Sequence, residues 1–146
     1  MISCILVVCE GNICRSPMAE GILASRLPNV KVISAGCGAL VGKPADPIAV
    51  ELMSERSIDI KRHIAMSLSL DNVRRAQLIL TMTLDQKVTI ERRYPFARGR
   101  VYRLAEHEGL DVIDPYRLDR EAFKISLAQI ERGTERWVEA ITRLTS

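Results

Sequence analysis

No cysteine follows Cys37, and the four cysteines present (Cys4, Cys9, Cys14 and Cys37) crowd into the first quarter of the 146 residues. Pairing them would leave most of the chain unstapled, so a disulfide scaffold is excluded and reduced thiols are expected. No apolar run approaches the ~20 residues that span a bilayer, so membrane insertion is not expected. The short apolar segment near residue 1 has no basic lead, which argues against a signal peptide and for the cytosol. Internal repeats, low-complexity tracts and linker-like stretches are also missing, so residues 1–146 are expected to form one domain. Hydrophobic residues make up 47% and charged residues 27% of the chain, which places it among globular proteins. The net charge is +3 and mostly arginine. Arg56, Arg62, Arg74, Arg75, Arg92, Arg93, Arg98 and Arg100 read as scattered solvated positions among acids, without an aromatic platform. Nucleic acid is therefore not the expected partner.

Short apolar runs alternate with helical patterns. Residues 2–8, 30–34, 76–82 and 101–104 read as strands. Helices are expected from Pro17 to Leu27, after the Asp46-Pro47 cap, over 68–74, over 85–93 and over 120–144. The last helix should turn Phe123, Leu127, Ile130, Trp137, Ile141 and Leu144 toward the core. This order predicts an α/β fold: a three-layer, doubly wound, four-stranded parallel sheet with helices on both faces. Ligands of such sheets sit beyond the carboxyl ends of the strands.

Cys9 stands at such an end, followed by Glu10-Gly11-Asn12-Ile13-Cys14-Arg15-Ser16-Pro17. Successive backbone N–H groups of residues 10–15 can converge on an anion, and the helix that follows adds its positive end. Gly11 is expected to supply backbone freedom, and Asn12 tolerates a left-handed turn. Arg15 presents a planar fork to two phosphate oxygens. The same positive field favours a thiolate at Cys9. These residues predict an enzyme that removes phosphate through a cysteinyl-phosphate intermediate, with no metal or cofactor. The leaving oxygen needs a proton. Asp114, just before Pro115, is the candidate acid, and Asp111 and Asp119 are alternatives.

The pattern resembles the low-molecular-weight protein tyrosine phosphatases, whose loop reads Cys, five residues, Arg, then Ser or Thr. Gly11 to Pro17 and the late Asp114-Pro115-Tyr116 match family motifs, as do Ser34-Ala35-Gly36, Gly42-Lys43-Pro44-Ala45-Asp46 and the run 78–82. The resemblance implies the phosphotyrosine protein phosphatase I-like fold, with Cys9 as nucleophile, Arg15 as phosphate clamp and Asp114 as general acid. It implies that Ser16 bonds the Cys9 thiolate and that Asn12, Ser34 and His63 brace the loop. Leu40 and Tyr116 become walls beside the substrate ring. Leu40, and a single Tyr116 before Arg117, resemble a bacterial subgroup acting on membrane-bound tyrosine autokinases of capsule or exopolysaccharide export. Met66 and Gln77 depart from the family's frequent arginine and aspartate.

Other readings of the same residues exist. Cys4 and Cys37 read as packing. Cys14 is either loop filling or the partner of an oxidised Cys9. An arsenate reductase on this fold would need a downstream cysteine pair that the chain lacks. A non-catalytic phosphotyrosine-binding module would have lost the nucleophile or the acid. The spacing of Cys4, Cys9 and Cys14 matches no common zinc pattern.

Overall fold

The first strand, β1 (Cys4–Cys9), is buried along its whole length, and its side chains alternate between two cores. A strand shows successive side chains to opposite faces, so a continuous apolar run implies cover on both. The computed structural model describes residues 1–145. After β1 come α1 (Arg15–Arg26), β2 (Lys31–Gly36), α2 (Pro47–Ser54), α3 (Leu70–Arg75), β3 (Leu78–Thr81), α4 (Leu84–Arg93), β4 (Val101–Arg103) and α5 (Arg120–Thr145). Ile5 and Val7 pack with Met18 and Leu23 of α1, Leu52 and Met53 of α2, and Phe123, Leu127 and Ile130 of α5. Leu6 and Val8 pack with Val73 of α3 and Ile90 of α4 on the other face. Each such side chain contributes about 1.5–3 kcal/mol by leaving water. None of the helices among the described residues is long and apolar enough to cross a membrane.

All strand pairs are parallel, in the order β2-β1-β3-β4. The chain leaves β1 for β2 on one side and returns to β3 on the other. The carboxyl end of β1 is therefore the switch point where the flanking loops part and a ligand fits.

Local chemistry sets the helix starts. Asp46 accepts from the Ile48 N–H with Pro47 in the first position, as expected. Ser69 with Asn72, and Thr83 with Gln86, form capping boxes that begin α3 at Leu70 and α4 at Leu84. β2 runs on to Gly36 because Ala35 and Gly36 pair with Val8 and Cys9. Two expectations are corrected. Leu144 is 76% exposed, because Ile141 is the last residue of α5 in the core. The arginines are not all scattered: the 92–100 segment folds Arg93 over the Tyr94 ring and Arg100 over the Phe96 ring, each 5.5 Å from the centroid. Arg100 also donates to the Ala76 carbonyl, next in sequence to Arg74 and Arg75. Trp137, expected in the core, is half-buried against it and donates through Nε1 to the Leu104 carbonyl at 2.9 Å.

Gly36 ties the sheet to the loop after β1. A Cβ there would lie 2.5 Å from the Glu10 carbonyl oxygen. Gly36→Ala is therefore expected to destabilise the fold by about 1–3 kcal/mol, measured as a lower urea midpoint; an unchanged midpoint would contradict this packing.

Candidate active site

Beyond the carboxyl end of β1, residues 10–14 turn before α1 begins at Arg15. Asn12 makes the turn possible. Its φ is 59°, a left-handed conformation that asparagine tolerates. Gly11 does not adopt a positive φ, and a Cβ there would meet nothing nearer than 3.8 Å, so the expected role for its backbone freedom is not seen. The left-handed position falls on Asn12 because its side chain can be held there. Nδ2 donates to Ser16 Oγ at 2.7 Å and to Ser34 Oγ at 3.0 Å. Oδ1 accepts from the Met66 N–H at 2.9 Å, and the Asn12 carbonyl accepts from His63 Nε2 at 2.6 Å. Asn12, Ser34 and His63 thus meet in one hydrogen-bond network. The Met66 N–H was not legible in the sequence, because a backbone donor carries no residue signature.

Cys9 Sγ lies 2.9 Å from Ser16 Oγ and accepts from the Asn12 N–H at 3.3 Å. Ser16 Oγ already accepts from Asn12, which leaves its own hydrogen for the sulfur. Among the described residues the backbone N–H groups of Gly11, Ile13 and Cys14 donate to no protein acceptor. Unpaired amides on a buried turn suit an anion. All four cysteines are free. Cys14 is buried and lines a cavity together with Cys9 and Arg15. Burial above all, then the charges of Asp46, Cys9 and Asp114, push its thiol up. Burial likewise pushes the Cys37 thiol up to about 11, aided by Glu10.

Arg15 is 3% exposed. Its Nη1 donates to the Val112 carbonyl at 3.0 Å, and Nη2 faces Asp114 Oδ2 at 3.4 Å. A buried guanidinium needs such partners, and these hold the fork in one orientation. Val112 is a second contributor that the sequence did not announce, again through its backbone.

The three candidate acids have different fates. Asp111 accepts from the Leu84 N–H and pairs with Arg103, and Asp119 accepts from the Ala122 N–H at the start of α5. Asp114 alone of the three lines the cavity with Cys9 and Arg15. Its Oδ1 accepts from the Tyr116 N–H at 3.1 Å, a local turn that aims the carboxylate. The cavity has a volume of about 100 Å³, and Leu40 and Tyr116 stand at it. Arg117 stacks 5.2 Å from the centroid of the Tyr116 ring. Gln77 lies away from this site; its side-chain oxygen accepts from the backbone N–H groups of Ser3 and Cys4.

The arrangement can hold a tetrahedral anion between free amides and a guanidinium, with a sulfur below it and a carboxylate at its side. The family model for low molecular weight phosphotyrosine protein phosphatase matches residues 4–146. The chain is 54% identical over 144 residues to a probable low molecular weight protein-tyrosine-phosphatase EpsP of Ralstonia solanacearum, covering 99% of each. It is 42% identical over 145 residues to the low molecular weight protein-tyrosine-phosphatase Wzb of Escherichia coli K12, covering 97% of each. Its structure is similar to that of Vibrio vulnificus Wzb in complex with benzylphosphonate, with a TM-score of 0.90 and 37% identity over 94% of this chain and 97% of that one.

Two outcomes test the site's geometry. Asn12→Ala removes three side-chain bonds and leaves alanine in a left-handed turn, so the fold is expected to lose about 2–4 kcal/mol, read from denaturant unfolding. Iodoacetamide labelling of Cys37 should rise about tenfold per pH unit from 7 upward and level off near 11, because only the thiolate reacts. A profile that levels off near 8, followed by peptide mass spectrometry, would contradict the burial of that thiol.

Proposed function

The chain belongs to the low molecular weight phosphotyrosine protein phosphatase family, and from that premise we propose how its residues divide the cleavage of a phosphotyrosine ester. Cys9 Sγ attacks phosphorus in line with the phenolic oxygen. The S–P bond forms as the P–O bond breaks, and Asp114 gives its proton to the departing phenol. Water then attacks the cysteinyl phosphate, Asp114 takes its proton, and the sulfur leaves as a thiolate that accepts from Ser16. The N–H groups of the 10–14 turn and the Arg15 fork bind the three non-reacting oxygens. Charge spreads over these oxygens in the transition state, so fixed donors supply most of the catalysis. Asn12, Ser34 and His63 position the turn. Leu40 and Tyr116 flank the aromatic ring of the substrate.

The observation that carries this reading is the meeting of Cys9, Arg15 and Asp114 around one cavity, although Asp114 is distant in sequence. The similarity to named tyrosine phosphatases favours ester hydrolysis over arsenate reduction or mere phosphotyrosine binding. No cysteine after Cys37 could relay an oxidation. The protein substrate is a phosphotyrosine protein, and a membrane-bound tyrosine autokinase of polysaccharide production fits the Leu40 and Tyr116-Arg117 pattern. The similarity to proteins named EpsP and Wzb supports that choice. The site of action is the cytosol, where the thiol stays reduced.

Cys9→Ser is expected to lower kcat for phosphotyrosine by at least about 10⁴-fold. Asp114→Asn should cost about 10²-fold with a poor leaving group and far less with p-nitrophenol, whose oxygen leaves without a proton. Phosphate-release assays on both esters check this, and equal losses on the two would remove Asp114 as the acid.

A further inference from the structure

A second cavity, of about 380 Å³, opens beside the first and shares Glu10, Arg15 and Asp114 with it. Asp85 and Gln86, from the first turn of α4, line its far side. Glu10 forms part of the partition between the two spaces. Its carbonyl accepts from the Gly38 N–H at 2.9 Å, and its carboxylate lies beside the same glycine. A Cβ at residue 38 would come 2.9 Å from Glu10 Oε2, so glycine there leaves room for the acid. Among the described residues neither Glu10 nor Asp85 forms an ion pair, whereas Asp114 leans on Arg15. The negative field of Glu10 reaches the neighbouring Cys37 thiol, which it pushes up, while Arg93 acts on that thiol in the opposite sense.

A carboxylate on the loop that binds phosphate does not help the phosphate. Each phosphate brought against Cys9 adds negative charge near Glu10, and like charges oppose each other. The arrangement makes sense if something positive arrives with the phosphate. In a phosphotyrosine peptide the neighbouring residue starts about 3.8 Å away along the backbone. A lysine or arginine there has the length to lay its head in the second cavity while the tyrosine fills the first. A glutamate or aspartate there adds a further negative charge at the same place.

Resting on the phosphotyrosine reading above, we propose that Glu10, with Asp85 behind it, is the specificity-determining group of this enzyme. It favours phosphotyrosine sites with a basic residue beside the tyrosine and rejects those flanked by acids. The discrimination is electrostatic and works as much by repelling the wrong peptide as by attracting the right one. Both carboxylates border open cavities, so the effect is screened by salt.

The test uses the full chain and one phosphotyrosine peptide in three versions, with arginine, alanine or glutamate on both sides of the tyrosine. Phosphate release gives kcat/KM for each version at low and high salt, for the wild type, Glu10→Gln and Asp85→Asn. The wild type should prefer the arginine-flanked over the glutamate-flanked peptide by about fivefold or more at low salt, and the ratio should fall toward one at high salt. Glu10→Gln should shrink the low-salt ratio strongly and Asp85→Asn partly. The readout is the ratio between peptides, which a general loss of activity leaves in place. If Glu10→Gln does not fold, Asp85→Asn carries the test from outside the phosphate loop. Ratios in the variants equal to the wild-type ratio, or a wild type indifferent to the flanks, would overturn the inference and leave the phosphatase reading intact. A wild type that cleaves none of the three peptides would instead overturn the phosphatase reading.

Discussion

The left-handed turn at Asn12 is the constraint on which the site depends. Its φ of 59° swings the chain from the end of β1 into α1 within five residues, and free amides remain on the inside of that turn. Such a conformation is costly for most residues and persists only where the surroundings hold it. Here the side chain and carbonyl of Asn12 reach Ser16, Ser34, Met66 and His63, which come from α1, β2 and the 63–66 segment. The net worth of a single bond of this kind is about 0.5–1.5 kcal/mol. Four of them on one residue exceed the strain of the turn, so the loop can be preorganised before any anion arrives.

Preorganisation also explains the burial of Arg15. A guanidinium that is 3% exposed is costly without partners, and the Val112 carbonyl and the Asp114 carboxylate supply them. Both partners come from the segment between β4 and α5. The same contacts therefore satisfy a buried charge and hold the Asp114 carboxylate at the cavity that Cys9 lines.

Negative charge near the site is arranged as carefully as positive charge. Asp114 is paired with Arg15, while among the described residues Glu10 and Asp85 form no ion pair at the cavity that Arg15 also lines. Elsewhere the carboxylates do structural work: Asp46, Asp111 and Asp119 bind backbone N–H groups, and Glu51, Glu131 and Glu135 pair with arginines that bridge helices. Exposed pairs of this sort are worth little individually. Glu10 differs from these in standing on the anion-binding loop itself.

Short-range order was legible in the sequence. The apolar run at β1, the Asp46-Pro47 cap and the Cys9 to Ser16 spacing are local patterns, set by backbone geometry and by side chains a few residues apart. From them the parallel sheet, the thiol at its carboxyl end and the arginine at the helix start could be named in advance. The tertiary structure decided whatever depends on segments distant in the chain. It placed Asp114, and neither Asp111 nor Asp119, at the cavity with Cys9 and Arg15, recruited the Met66 N–H and the Val112 carbonyl, braced the left-handed turn at Asn12 with distant partners, folded Arg93 and Arg100 onto aromatic rings, and set Glu10 at two cavities. These contacts follow from strand order and helix packing, and backbone donors and acceptors have no residue type to betray them, so no local periodicity could reveal them.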